Sequence, residues 1–151
     1  MRVARLGMAV LTVAVASVIQ VAAHHSNPLY FDMSKAITLE GTVLRVAWIN
    51  PHVLLFLQSK DEKGELETWI LHGRSLNNAV RELGSMKERL KPGTRISARA
   101  YPPRNPLFLN DEETVLLTRP DDVRKSSRIG GAGQIRFSNG DLLAFGGGPT
   151  F

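Results

Sequence analysis

Cysteine is missing altogether from the 151 residues. That excludes disulfide staples, iron–sulfur ligation and thiol chemistry. Any transition metal must then be held by histidine, carboxylates or backbone groups. Aromatic residues make up only 7% of the chain, which leaves few rings on which nucleic-acid bases would stack. No Gly-rich stretch follows a strand and opens a helix, so Gly130-Gly131-Ala132-Gly133 is not a nucleotide loop. There is no internal repeat and no Gly-x-Ser-x-Gly elbow. What is present is an ordinary globular composition, 43% hydrophobic and 22% charged, with a formal charge of +5. The length suits a targeting segment plus one small domain.

The first residues read as an address. Met1-Arg2-Val3-Ala4-Arg5 is short and basic, Leu6 to Val21 is almost wholly apolar, and Val21-Ala22-Ala23 places small residues one and three before His24. This three-part pattern predicts a signal peptide over residues 1–23. An uncleaved anchor is the alternative, because the run approaches the ~20 residues a spanning helix needs. No later stretch is long enough to span, so no membrane span is expected once the signal is removed. Cleavage takes Arg2 and Arg5 with it and leaves 128 of the 151 residues, now carrying +3. The expected location is periplasmic or secreted, and a mildly basic surface is not a nucleic-acid footprint.

Period-two alternation predicts the first strand over Ile37 to Trp48, with Gly41 marking a bulge or bend and the phase blurring near Leu44. Asn50-Pro51 ends it. Val53 to Gln58 is continuously apolar, as in a strand buried on both faces. Asp61-Glu62-Lys63-Gly64 is a hairpin loop before a third strand, Glu65 to Leu71. Ser75 reads as the N-cap of a short helix carrying Leu76, Ala79, Val80 and Leu83, with Gly84 as its stop. Lys91-Pro92-Gly93-Thr94 turns into a strand over Arg95 to Tyr101, and Glu113 to Thr118 reads as another. Asp121 to Gly133 reads as a mobile link. A terminal hairpin, Gln134 to Phe137 and Leu142 to Phe145, turns at Asn139-Gly140 and either closes the barrel or packs outside it. Gly146-Gly147-Gly148 is expected to fray.

Three strands, a helix and two strands is the order of a small OB-like β-barrel; an open sandwich fragment or a small roll are the alternatives. The fold class is therefore mainly β, with one short helix and a C-terminal hairpin. The expected division is 1–23 signal peptide, 24–120 barrel, 121–151 link and hairpin.

Processing after Ala23 would make His24 the amino-terminal residue, followed by His25. An N-terminal histidine offers its amine and an imidazole nitrogen to one metal, and a third nitrogen completes the tetragonal set that Cu(II) favours. His52 is the first candidate for that nitrogen and His72 the next. Capture is expected to be stronger at neutral pH than at pH 5, since these nitrogens must be deprotonated to bind. The plainer reading leaves His24 and His25 on a flexible terminus and His52 bonded in its turn. Asp32 either orients an imidazole or serves the turn before Ser34. Ser26 and Ser75 lie near histidines in sequence without a hydrolase motif, and the acidic pairs Glu112-Glu113 and Asp121-Asp122 point apart in a strand. Nucleic-acid binding through Trp48, Trp69, Tyr101, Arg95 and Arg99 is the weaker reading, given the export address.

Ala23-His24-His25-Ser26, Phe31-Asp32, Gly41-Thr42-Val43, Trp48 with Asn50-Pro51-His52, Trp69, Gly84 and Lys91-Pro92-Gly93 together resemble domain-of-unknown-function family 6152. The resemblance spans about residues 23 to 101, and Asn139-Gly140-Asp141 echoes a family turn. It implies a periplasmic, single-domain, β-rich protein and brings no established activity. His24, His25 and His52 match the family pattern, whereas His72 stands where the family tends to carry an acid. The Pro-rich link and Gly-rich tail depart from it.

The resulting expectation is an exported binding module and not an enzyme. His24, His25 and His52 would hold a metal, copper first and zinc or nickel behind it. The rival is a metal-free module that binds an envelope protein or polymer through Trp48, Asn50 and Trp69. A hydrolase is third.

Overall fold

A computed structural model describes residues 30–50, 52–79, 83–104 and 127–148. The chain runs β1 (Ile37–Ala47), β2 (Leu54–Lys60), β3 (Leu66–His72), α1 (Leu76–Ala79), α2 (Leu83–Arg89), β4 (Arg95–Tyr101), β5 (Ser127–Phe137) and β6 (Leu142–Ala144). The hydrogen-bonded order is β3-β2-β1-β4-β5-β6, and β3 also pairs with β5 in parallel. Five strands thus close into a ring, with β6 bonded outside it. This is the expected mainly β, OB-like barrel, but with two short helices in place of one and with its fifth strand at Ser127–Phe137, past the expected barrel limit of residue 120.

β1 serves both halves of the ring. Its first half pairs with β4 and its second half with β2, the two registers overlapping at Gly41 and Thr42. A side chain at Gly41 would overlap the Gln58 carbonyl oxygen, so the strand bends there on a residue without one. The register slip itself lies between Val43 and Arg45, where the apolar phase blurs.

The tight turns follow their residues. Gly64, Gly93 and Gly140 sit at positive φ, the left-handed region that glycine enters without strain. Asp61 Oδ1 accepts the Lys63 and Glu65 amides at 2.8 and 2.9 Å, and Ser75 Oγ accepts the Asn78 amide at the start of α1.

Leu54 to Leu57 are all buried, because β2 faces apolar groups on both sides. Inward, Val43, Leu55, Leu57, Trp69, Leu71, Met86, Ile135 and Phe145 belong to the main core. Outward, Leu54, Phe56 and Ile70 form a second cluster with Ala47, Ile49 and Ile129, and the Arg45 guanidinium lies 3.6 Å from the centre of the Phe56 ring.

Three expectations are corrected. Gly84 does not stop the helix: it lies in α2, because the apolar spacing runs on through Met86 to Leu90, both buried. From Ser127 the expected mobile link is strand, and its glycines belong to the ring. They are there for room, since a Cβ on Gly130 would come 3.0 Å from the Tyr101 carbonyl oxygen and one on Gly133 would come 3.0 Å from the Tyr101 ring. Gly146 is likewise held, its amide donating to Gly133 O at 2.9 Å. The expected signal peptide, His24, His25 and the strand over Glu113 to Thr118 lie outside the described residues.

Candidate functional site

His52 and His72 are brought together by the end of the β2–β3 ladder. Leu54 pairs with His72. Beyond that pair the zip continues, as Gly73 N donates to Val53 O at 2.8 Å and Val53 N donates to Arg74 O at 3.1 Å. His52 lies two residues before Leu54 and so shares its outward face, diagonal to His72. The ring centres are 6.3 Å apart at 47°.

The third wall comes from the N-terminal segment. His72 pairs across the parallel ladder with Gly131 of β5. Over Gly131 lies Phe31, 3% exposed, with its ring centre 5.7 Å from that of His72. Backbone bonds hold Phe31 on both sides: Arg104 N donates to Tyr30 O and Asp32 N to Pro102 O, each at 2.8 Å. The outer apolar cluster of Leu54, Phe56 and Ile70 adjoins this row along the same face.

Two buried ring nitrogens, His52 Nδ1 and His72 Nε2, have no hydrogen-bond partner. An unpaired buried polar atom is costly, and a ligand is one way to satisfy it. Burial, reinforced by the neighbouring His52, lowers the His72 pKa from 6.5 to about 4. His72 is therefore neutral at neutral pH, the form in which imidazole binds metals. Among the described residues, no three histidine or carboxylate groups converge on one point, so His52 and His72 by themselves do not make up a metal site.

The other expected residues fall unevenly. Trp48 is half-buried against the core, with Lys87 Nζ 5.8 Å from its ring centre, and Asn50 is exposed in the same loop as His52. Trp69 does not join them. It is 5% exposed in the core, its Nε1 donates to Glu67 Oε1 at 2.7 Å, and Glu67 also pairs with Arg128. Asp32 serves its turn, accepting from Ser34 Oγ at 2.6 Å and pairing with Lys35; the Ser34 bond, more than any other contact, holds its pKa below the ordinary value. In the sequence Phe31 stands out only within a motif, and the packing of its ring on Gly131 is a long-range contact that no local pattern signals.

Residues 10–107, roughly two thirds of the chain, match the family described as Family of unknown function (DUF6152). The chain belongs to this family. The matched span holds Phe31, His52 and His72 but stops short of β5, which supplies Gly131. No curated protein and no solved structure matches the chain. Among the described residues, no helix is long and apolar enough to cross a membrane.

Proposed function

We propose that this family member is an exported periplasmic or secreted binding module, not an enzyme, and that it takes up Cu(II). The nitrogen set is His52 and His72 on the barrel with His24 and His25 from the processed amino terminus. One observation carries the reading: two neighbouring histidines each bury a ring nitrogen that nothing satisfies. His25 lies five residues before Tyr30, a reach of at most ~18 Å from a segment already packed on His72. An imidazole-rich set without thiolate favours copper over zinc and nickel by the general affinity order.

The test is titration of the protein, processed after Ala23, with Cu(II), followed by calorimetry and paramagnetic resonance. The expected result is one ion per chain with nitrogen hyperfine structure. The His52→Ala and His72→Ala variants should each weaken uptake by about tenfold or more, and one extra residue ahead of His24 should change the resonance spectrum. Equal binding by the His52→Ala/His72→Ala double variant would overturn the barrel half of the site. An unchanged spectrum with the extra residue would overturn the amino-terminal half.

A further inference from the structure

At the far end of β2 from His52, a groove of about 690 Å³ crosses the outside of the barrel over β1, β2, β4 and β5. That volume falls in the range of ligand sites, ~300–1,000 Å³. The ladder registers set its lining in rows. Gln58, Thr42 and Arg95 stand side by side across three strands, and Glu40, Ser97 and Arg136 across the next three. Lys60 closes the end of β2 opposite Leu66, which is 64% exposed. Three cations thus surround a single acid, interleaved with hydroxyls and one amide.

We propose that this groove binds an acidic oligosaccharide, a chain of uronate sugars. Lys60 and Arg95 would receive carboxylates, each as a charge-assisted bond. Glu40 in their midst would accept sugar hydroxyls, and Thr42, Gln58 and Ser97 would both give and accept them. Leu66 at the margin offers apolar contact to the sugar C–H faces. A polyphosphate chain fits worse. Its charges stand one bond-pair apart and it has no hydroxyls for Glu40 to accept, whereas a uronate chain spaces its carboxylates a whole sugar apart with hydroxyls between them; nucleic acid needs open rings for stacking. The aromatic ring in the groove, Phe137, is half-buried and has the Arg89 guanidinium 4.1 Å from its centre.

The experiment titrates the protein with hexagalacturonate, and in parallel with maltohexaose, a thymidylate hexanucleotide and inorganic phosphate. The acidic sugar should bind, more weakly as salt rises, and more tightly than the other three. A Lys60→Ala/Arg95→Ala variant should lose about tenfold in affinity with an unchanged unfolding temperature, while His52→Ala should bind as the parent does. Glu40→Gln separates a glycan site from a mere positive field. Removing an acid from a field tightens the binding of every anion alike, whereas exchanging a charged hydroxyl acceptor for the weaker neutral amide oxygen costs the sugar alone. Glu40→Gln should therefore lower the preference for hexagalacturonate over inorganic phosphate. An unchanged or raised preference there, preference of the parent for the nucleotide or phosphate, or no sugar binding at all each overturns the proposal.

Discussion

The ring of Phe31 occupies the place a side chain on Gly131 would need: a Cβ there would meet Phe31 Cδ2 at 2.6 Å. The two residues are 100 positions apart in sequence, and their fit seats the N-terminal segment against His72. In Gly131→Ala the ring must move out, at a cost of about 1–3 kcal/mol and several degrees of unfolding temperature. Phe31→Ala leaves room for the new methyl, so the double variant should lose less than the two single losses added together. Thermal or urea unfolding of the four proteins measures this coupling, and strict additivity would deny the contact.

Acid should unfold the metal-free protein more easily through His72. The unfolded chain takes up this proton near pH 6.5, whereas the folded chain holds it off until about pH 4. Between those values the unfolded state binds more protons, so stability falls as pH falls; above pH 6.5 the group contributes no slope. Among the described residues, the titratable group facing it is His52, while β5 presents Gly131 and the N-terminal segment presents Phe31. Across the window the loss amounts to ~3 kcal/mol. Urea unfolding at pH 7 and pH 4.5 should show it in the parent and a flatter response in His72→Asn; equal slopes would refute the assignment.

Two glycines should respond differently to the same methyl group. Gly140 turns the β5–β6 hairpin at φ 87° with open space around it, so Gly140→Ala costs only the left-handed backbone strain, about 1–2 kcal/mol. Gly41 has ordinary φ but faces the Gln58 carbonyl, which cannot retreat without breaking the β1–β2 ladder. Gly41→Ala should therefore cost more than Gly140→Ala and be felt in the barrel. Amide hydrogen exchange distinguishes them: protection should drop across β1 and β2 in the first variant and only around β6 in the second.

Phe145 follows the strand outside the ring yet is fully buried. Its ring packs on Gly73, and its carbonyl accepts the Arg74 amide at 2.8 Å. Phe145→Ala should cost about 3–5 kcal/mol, as much as an inward residue of the ring. A loss under 1 kcal/mol by denaturant titration would mean that the C-terminal hairpin is an appendage.

The barrel was legible because its local signals agree. Alternation in β1, the unbroken apolar run of β2 and the turn glycines 64, 93 and 140 each speak for themselves over a few residues. β5 was not legible in the same way. Its Gly130-Gly131-Ala132-Gly133 run looks like linker by composition, and its reason lies in Tyr101 and Phe31, which reach it from distant parts of the chain. For the site, His52 was readable from its turn, but His72 beside it depends on the ladder register, which a sequence does not display. Trp69, expected on a binding face, turned inward because its position opposite Leu57 puts it on the core side of β3.

The parallel pairing of β3 with β5 carries a consequence for how the protein is born. The ring closes on the last of its strands to be synthesised, and until residues 127–137 are available β3 and β4 each keep an open edge. Any intermediate that holds β1 to β4 without β5 is therefore an open sheet with two unpaired edges, the state in which strands of neighbouring chains pair most readily.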